Sequence, residues 1–390
     1  MKKVLRAPPL VVLLLLATVG AAPGQTERAA RSAATVLGAA GTAGELVSPG
    51  PVQEGPDGNI YAYDEVDAFI KVYSPRGEFL RRLAGEGQGP GEVARRDGVS
   101  FGFTRDGRLF FTEYFRGHRW ITLMKPTGEL DSVVKLDQPA SFGIAEAVAL
   151  PEGRFLAEFH FSGSQDKEKD YYLYRSPVSL RLVGSDGAVG TEVKATEHRT
   201  RISYRPDGAD TELPFIPRFL WCLLDDRTVL FADGTGPSVE VIGIDGRPLR
   251  NLASGLDGPA KVRSRDLDTW REERKSAIRA RDPDWYSRFG SVIEKYTRSM
   301  YGVKPMLDDL AVTPSGNILV SGAWRPEKRS RACTLLDPDA RLLARADVSG
   351  SISLTRDFIF IIASDEEGNS EVRFLKRSGD DRTDLLKAGR

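Results

Sequence analysis

The chain of 390 residues is poor in the residues that build metal centres and disulfide frameworks. It contains two cysteines and three histidines, against 39 glycines and 23 prolines. A zinc site needs His or Cys ligands at close spacing, and His118, His160 and His198 have no such ligand near them in sequence. Cys222 and Cys333 are predicted to be two thiols that pack as small apolar groups, although a disulfide between them is an alternative. We identify no catalytic constellation, so an enzyme is not the preferred interpretation.

Long hydrophobic runs and an excess of charge are also lacking. The longest apolar run, Leu10 to Val19, falls short of the ~20 residues that a membrane span needs. It follows Lys2, Lys3 and Arg6 and precedes Gly20-Ala21-Ala22, the order of a secretory signal peptide over residues 1–22, with a membrane anchor as the alternative. Residues 23–34 are predicted to form a flexible linker, and the protein to be periplasmic or extracellular.

The charge balance gives no sign of a polyanionic partner. The full chain has 55 basic and 55 acidic residues, and loss of the signal peptide leaves 52 against 55, a net charge of −3. Proteins that bind nucleic acids or acidic membrane surfaces carry basic excesses. We therefore expect no nucleic-acid partner, and no membrane span in the mature chain.

What the sequence does contain is a repeat, clearest from Pro56 to Leu83. Turn residues Pro56 to Asn59 precede short segments of strand-forming residues at 60–63, 69–73 and 78–83. Degraded copies begin near residues 105, 151, 225, 314 and 355. Gly58 and Gly107 are 49 residues apart, and Gly107 and Gly153 are 46. This spacing is typical of a propeller blade, in which four short strands and their turns take roughly 40–50 residues.

Six such units predict an all-β, six-bladed β-propeller over residues 35–390. The sixth unit lacks an outermost strand, because little that is apolar follows Leu375. The segment Gly38–Leu46 aligns with Gly85–Val93, which gives Thr35–Leu37 the position of the last strand of a blade. We therefore expect this N-terminal strand to complete blade six, which leaves no free sheet edge where the ring closes.

The first repeats resemble a known type of propeller. Ile60-Tyr61-Ala62-Tyr63-Asp64, Ile70-Lys71-Val72-Tyr73 and Gly87-Gln88-Gly89-Pro90-Gly91-Glu92 resemble the NHL repeat of secreted bacterial six-bladed propellers of the TolB-like type. The resemblance implies the propeller fold over most of residues 35–375. It also implies relatives that bind ligands or proteins and others that are lactonases or amidating lyases, the lyases with metal-ligating histidines near the axis.

Two insertions interrupt the repeats. Residues 263–304, between blades four and five, predict two helices, the first capped by Ser264 and the second starting at Asp282-Pro283. Eleven basic against seven acidic residues give this segment a local charge of +4. Two arrangements of the insertion are open: either the apolar stripe of its helices only packs on the blades, or the insertion also covers the central channel. In the second case its arginines contact an anionic ligand; these are Arg271, Arg274, Arg279 and Arg281.

The other insertion, His198 to Pro217, lies between blades three and four. We predict a long loop here, and long ordered loops in compact domains are often functional. Arg201, Tyr204 and Arg205 are its candidate ligand contacts.

An acidic residue follows the second strand of several blades. A ring of carboxylates could hold Ca²⁺ or serve as general acid and base. The preferred interpretation is that each carboxylate caps the following turn by accepting backbone N–H groups. The residues are Asp64, Glu113, Glu158, Asp233 and Asp365.

The sequence thus favours a binding module for a small anionic molecule, a peptide or a glycan, or for a protein partner. No cofactor is predicted, with calcium as the one candidate. The alternative is a metal-dependent hydrolase or lyase of the lactonase type that uses the axial channel. A third hypothesis is a protein-interaction scaffold with Trp324-Arg325-Pro326 on its surface; exposed Trp270 and Trp285 would favour it, and a buried pair would favour the covered channel.

Overall fold

The computed structural model describes most of the chain from residue 34 onwards. In numbers, it describes residues 34–87, 89, 91–93, 99–113, 120–137, 142–161, 164–168, 171–204, 210–212, 215–216, 218–258, 261–278, 284, 289–290, 295, 304–325, 328–364 and 370–389. The predicted signal peptide, nearly all of the predicted linker, His118 and Asp365 lie outside these ranges.

Twenty-eight strands are present in the described part of the chain. The first fourteen are β1 (Thr35–Leu37), β2 (Pro49–Glu54), β3 (Ile60–Asp64), β4 (Phe69–Tyr73), β5 (Phe79–Leu83), β6 (Gly85–Glu86), β7 (Glu92–Val93), β8 (Val99–Phe103), β9 (Leu109–Glu113), β10 (Trp120–Met124), β11 (Leu130–Lys135), β12 (Phe142–Ala149), β13 (Phe155–Phe161) and β14 (Ser164–Glu168). The others are β15 (Tyr171–Val183), β16 (Val189–Tyr204), β17 (Asp210–Glu212), β18 (Leu220–Asp225), β19 (Thr228–Ala232), β20 (Ser238–Gly243), β21 (Pro248–Ala253), β22 (Leu307–Val312), β23 (Ile318–Gly322), β24 (Arg331–Leu336), β25 (Leu342–Val348), β26 (Ser351–Leu354), β27 (Phe358–Ser364) and β28 (Ser370–Lys376).

Twenty-six of these strands form the six antiparallel sheets of a six-bladed propeller, as predicted, and β6 and β7 form a separate parallel pair. Blades one, two, four and five have the orders β2-β3-β4-β5, β8-β9-β10-β11, β18-β19-β20-β21 and β22-β23-β24-β25. Buried aliphatic and aromatic side chains fill the space between neighbouring blades, since neither face of a single sheet is covered on its own.

The predicted closure of the ring is confirmed. Blade six has the order β1-β28-β27-β26, and β1 pairs with β28 so that Thr35 lies opposite Phe374 and Leu37 opposite Val372. Leu37 is buried in the same core cluster as Phe374. The outermost strand of the last blade is thus the first strand of the chain.

The alignment of Gly38–Leu46 with Gly85–Val93, on which that prediction rested, reflects a similar loop in the two segments. In Gly38–Leu46 the carboxylate of Glu45 accepts the Gly41 N–H at 2.8 Å, and in Gly85–Val93 the carboxylate of Glu92 accepts the Gly89 N–H at 2.9 Å. Each loop follows the outermost strand of a blade. Gly85–Val93 therefore belongs to the connection between blades one and two.

The two ends of the disc are built differently. Antiparallel order places the turns from first to second strand and from third to fourth strand at one end, which we call the turn end. Its turns are tight, with positive φ at Gly58, Gly77, Gly107 and Gly128. The other end, which we call the connection end, carries the links between blades and from second to third strand. Both insertions predicted from the sequence lie there.

Blade three extends beyond the disc at the connection end, where the sequence predicted a long loop. The loop prediction is wrong in its first part, because residues 198–204 continue β16, which pairs with β15 and with β17. Strand β15 pairs with two partners in turn: its residues 178–183 pair with β13 as the third strand of the blade, whereas residues 171–175 pair with β14. Strand-forming Tyr and Leu residues at 171–174 continue the pairing past the blade.

Besides a single 3-10 turn at Pro151–Gly153, the structure gives bounds for two α-helices, one of which was predicted. Helix α1 (Ser264–Ile278) confirms the first helix of the insertion, although Ser264 is its first residue rather than its cap. Most of the second predicted helix lies outside the described residues; Phe289, Gly290 and Lys295 are helical. Helix α2 (Asp381–Ala388) follows blade six and was not foreseen. No helix in the described ranges combines the length and apolarity needed to cross a membrane.

Candidate functional site at the connection end

The first strands of the blades surround the axis, and three of them carry ionisable side chains there. The first strands of neighbouring blades contact one another. Strand β8 contacts β12, and β18 contacts β22. Glu146 lies on β12, Cys222 on β18 and Asp309 on β22. Asp309 raises the pKa of the Glu146 carboxyl, and both acids raise the pKa of the Cys222 thiol, so we describe the three residues together as the channel cluster.

Glu146 is exposed to solvent, although protein atoms surround its carboxyl group on several sides. Burial raises the pKa of its carboxyl to about 8, and the carboxylates of Glu158 and Asp309 add to the shift. The solvent of the channel offsets part of this desolvation. In the described part of the chain Glu146 forms no hydrogen bond or ion pair.

Asp309 is the second acid of the channel cluster. Burial raises the pKa of its carboxyl, and this outweighs the hydrogen bond at 2.8 Å that the Leu310 N–H donates to its Oδ1. The neighbouring Asp308 raises the pKa further, whereas Arg331 and Arg218 lower it. The cluster therefore contains two acids whose ionised forms are disfavoured in the free protein.

The surroundings of Cys222 disfavour its thiolate. Burial raises the pKa of its thiol, and Asp309 and Glu146 raise it further. The thiolate is the reactive form of cysteine, so the thiol stays protonated and inert at neutral pH. Cys222 and Cys333 are both free thiols, which agrees with the preferred prediction of two unpaired cysteines. Cys333 is buried, whereas Cys222 is only partly buried.

Glu158 faces the cluster from the second strand of blade three and is held by two side chains. Trp221 donates its Nε1–H to Oε2 at 2.7 Å, and Oε1 lies 2.5 Å from His160 Nε2. Glu158 is also the residue directly opposite Glu146 across β12 and β13. The prediction that Glu158 caps a turn through backbone N–H groups is therefore wrong, because a tryptophan from blade four and a histidine two residues ahead occupy both oxygens.

The arginines nearest the cluster are engaged by Asp308. Arg218 lies 3.1 Å from Asp308 Oδ1, and Arg331 donates to Asp308 Oδ2. Arg331 also lies over the ring of Trp324, 5.9 Å from its centroid. Their cationic groups therefore neutralise Asp308 directly and Asp309 only at longer range.

Two of the acids that follow second strands do cap turns. The side chain of Asp64 accepts the Val47 N–H at 2.9 Å and the Val66 N–H at 3.1 Å. It also accepts a hydrogen bond at 2.7 Å from the buried Nζ of Lys71. Asp233 accepts the Thr235 N–H at 2.9 Å. The capping prediction is confirmed for these two residues.

Among the residues predicted to bind a ligand, those that the structure describes fall on the connection end. Arg201 and Tyr204 lie in the extended half of β16, opposite Tyr174 and Tyr171. Arg271 and Arg274 lie in α1. Arg205, Arg279 and Arg281 lie outside the described residues. A role for any of these residues in binding stays a prediction.

The tryptophans invoked for a protein-interaction scaffold give a mixed result. Trp324 is 42% exposed, whereas Trp270 is half-buried. Trp285 and Pro326 lie outside the described residues.

Two enzyme signatures were tested against the geometry. Within the described ranges, no three His, Cys, Asp or Glu side chains are grouped so as to hold a metal ion. Residues 98–102 fit the G-x-S-x-G pattern of serine hydrolases, which the sequence reasoning overlooked. However, Ser100 lies inside β8 and is followed by a hairpin to β9, whereas a nucleophile elbow leads from a strand to a helix.

Comparison with known proteins gives fold-level similarity only. No protein-family model and no curated protein sequence matches the chain. A protein of Bacteroides fragilis described as exported is 12% identical, with a TM-score of 0.48 over 87% of this chain and 94% of that one. A gluconolactonase of Xanthomonas campestris is 11% identical, with a TM-score of 0.44 over 85% and 87%, and regucalcin of Agrobacterium tumefaciens is 11% identical, with a TM-score of 0.44 over 86% and 92%. Such similarity carries no argument about activity, and the six-bladed architecture rests on the sheet topology.

Proposed function

We propose that the protein is an exported six-bladed propeller, of the NHL-repeat or TolB-like type, that serves as a binding module. The ligand would enter at the connection end. The observation that carries this proposal is the difference between the two ends of the disc: one has tight turns and the short helix α2, whereas the other has both insertions and the channel cluster. Ligand sites in proteins are concave, with a few polar groups that converge on the ligand.

The ligand would be a small molecule, peptide or glycan with an anionic group, or a segment of a protein partner. Arg201, Tyr204 and Arg205 on blade three are the proposed contacts to the anionic group, together with Arg271, Arg274 and Arg279 in the insertion. Arginine suits this role because its planar guanidinium binds carboxylates through two parallel hydrogen bonds.

The test compares charge reversals at the two ends. Thermal melts of the mature chain would be recorded with triglutamate, maltotriose and trilysine as acidic, neutral and basic probes. A ligand that binds only the native state raises the melting temperature. The variant Arg271→Glu/Arg274→Glu changes the connection end, and Arg76→Glu/Arg247→Glu makes the same charge change at exposed positions of the turn end.

We expect triglutamate to stabilise the wild type and the turn-end variant but not the connection-end variant. The proposal would be contradicted if a probe stabilised the wild type but not the turn-end variant. It would also be contradicted if none of the three probes stabilised the wild type.

A second candidate is a hydrolase or lyase of the lactonase type. The observation that favours it is the His160–Glu158 hydrogen bond, because a carboxylate that orients a histidine is a common arrangement for a general base. The test is hydrolysis of a chromogenic ester or lactone. Activity that is lost in His160→Ala and kept in His198→Ala would favour this function over binding alone.

A further inference from the structure

We propose that a cavity at the turn end of the disc binds a small aromatic compound, with Arg356 donating to a carboxylate or amide oxygen of the ligand. The cavity has a volume of about 200 Å³ and opens to solvent. It is lined from three successive blades, by Thr355 and Arg356 of blade six, Glu54, Gly55 and Pro56 of blade one, and Phe103 of blade two. These residues end or follow the first strands of their blades. The site goes beyond the proposed function, because it lies at the other end of the disc from the insertions.

The first argument is that Arg356 is held in place. Its Nη2 donates to Glu54 Oε1 at 2.7 Å, and its Nε donates to Asp357 Oδ2 at 3.3 Å. Glu54 is itself fixed, since it accepts the Thr355 hydroxyl at 2.7 Å and the Asp357 N–H at 2.8 Å, and its side chain is only 2% exposed. A donor that is already oriented loses little conformational entropy when a ligand binds.

The second argument is that the guanidinium of Arg356 has donors to spare. None of the described residues accepts a hydrogen bond from its Nη1, which carries two N–H groups. Water satisfies these donors when no ligand is bound. The carboxylates of Glu54 and Asp357 already balance the charge of Arg356, so an uncharged amide oxygen suits the site as well as a carboxylate does.

The third argument is that the other walls of the cavity are apolar and rigid. Phe103 is half-buried, and its ring packs edge-on against the ring of Tyr61, with the centroids 4.8 Å apart. Tyr61 is fixed in turn, because its hydroxyl donates to Asp57 at 3.0 Å. Pro56 adds a second apolar surface. Apolar walls around a single oriented polar group are typical of a small-molecule site, and an aromatic ligand can pack against Phe103.

The fourth argument concerns size. The cavity corresponds to about six water molecules, at the ~30 Å³ that each occupies in the liquid. A single aromatic ring with a short polar substituent fits this space, whereas an oligosaccharide does not. The nearby Arg105 offers no second anchor for a longer anion, because it forms an ion pair with Asp226 of blade four.

The experiment measures binding of small probes to the mature chain by saturation-transfer NMR and titration. Benzoate and benzamide have both the ring and the acceptor, benzylamine lacks the acceptor, and acetate and acetamide lack the ring. Arg356→Met removes the donors, and Phe103→Leu removes the aromatic wall. The control is Arg105→Met, because Arg105 is also exposed and ion-paired at the turn end but does not line the cavity. Thermal melts verify that each variant is folded.

We expect benzoate, benzamide or both to bind, and benzylamine not to bind. Arg356→Met should weaken the affinity about tenfold or more, because a charge-assisted hydrogen bond is lost. Phe103→Leu should weaken it about threefold through the loss of the aromatic contact, and Arg105→Met should leave it unchanged. Tighter binding of benzoate than of benzamide would identify the ligand group as a carboxylate, and the reverse order as an amide.

The inference would be overturned if neither benzoate nor benzamide bound to the wild type. Binding that Arg356→Met retains, or that Arg105→Met weakens equally, would also overturn it. So would acetate and acetamide that bind as tightly as the aromatic probes, since the apolar walls would then contribute nothing.

Discussion

At the scale of single residues, the carboxylates of Asp64 and Glu146 show how environment decides ionisation. Burial alone would raise the pKa of Asp64, but hydrogen bonds from Lys71 and from backbone N–H groups hold it below its usual value. Glu146 has no such donors among the described residues, and burial raises its pKa to about 8. Asp64 therefore stabilises the fold when ionised, whereas Glu146 destabilises it when ionised.

Replacing Glu146 should change how stability depends on pH. Its carboxyl has a pKa near 4.5 in the unfolded chain and about 8 in the folded one, so the folded state binds more protons in that interval. The free energy of unfolding then falls as the pH rises through it. Glu146→Gln removes this loss, so the variant should gain stability relative to the wild type between pH 5 and pH 8.5. Urea unfolding at the two pH values measures the difference.

The exposed Glu129→Gln serves as the control and should show no such gain. If the difference between Glu146→Gln and the wild type is the same at both pH values, the carboxyl titrates normally and its environment is solvated.

At the scale of elements, helix α2 is fixed by a buried ionic network beneath blades five and six. Arg377 donates its Nε–H to Asp384 at 2.8 Å and also contacts Asp381. Asp381 in turn accepts a hydrogen bond at 2.8 Å from Asn317 of blade five. Leu385 of the same helix is completely buried in the core. The helix therefore joins the last two blades on the side away from the connections.

Asp384→Ala should destabilise the protein by about 2–4 kcal/mol. The change leaves Arg377 Nε and the Ser378 hydroxyl and N–H without an acceptor in a buried place. Asp380→Ala removes an exposed helix cap one turn earlier and should cost only about 1 kcal/mol. Chemical denaturation of both variants tests the ranking, and equal losses would mean that the buried network contributes no more than a cap.

The elements that the sequence predicted are those with local signals. Turn residues such as Asp57-Gly58 and alternating strand formers marked the blades, and helical spacing marked α1. Helix α2 was missed because its eight residues have few apolar positions, and its stability comes from Arg377, which is distant in sequence from the blade-five residues around it. The channel cluster was missed for the same reason: Glu146, Cys222 and Asp309 meet only after three blades assemble.

At the scale of the whole molecule, closure depends on β1. Its pairing with β28 covers the edge of blade six. At the turn end, Glu54 of blade one accepts hydrogen bonds from the Thr355 hydroxyl at 2.7 Å and the Asp357 N–H at 2.8 Å of blade six. The first and last blades are thus joined by backbone pairing and by side chains.

Removal of β1 should open the ring. A chain that begins at Gly38 lacks Leu37 and leaves the edge of β28 unpaired, whereas one that begins at Ala34 retains both. The shorter chain should have a lower melting temperature and should associate through the free edge, because unpaired strand edges recruit further strands. Thermal melts and light scattering compare the two. Equal melting temperatures and equal masses would show that β1 does not hold the ring closed.

The pairing of β1 with β28 also sets an order of events during biosynthesis. β1 is among the first described segments to leave the ribosome, and its partner, around Phe374, is among the last. The ring therefore cannot close before all the blades between these two strands have been made, and the contact that closes it has the largest loop entropy among the described strand pairs. The five blades between them can each form their own sheet earlier, so ring closure is a separate and late step of folding.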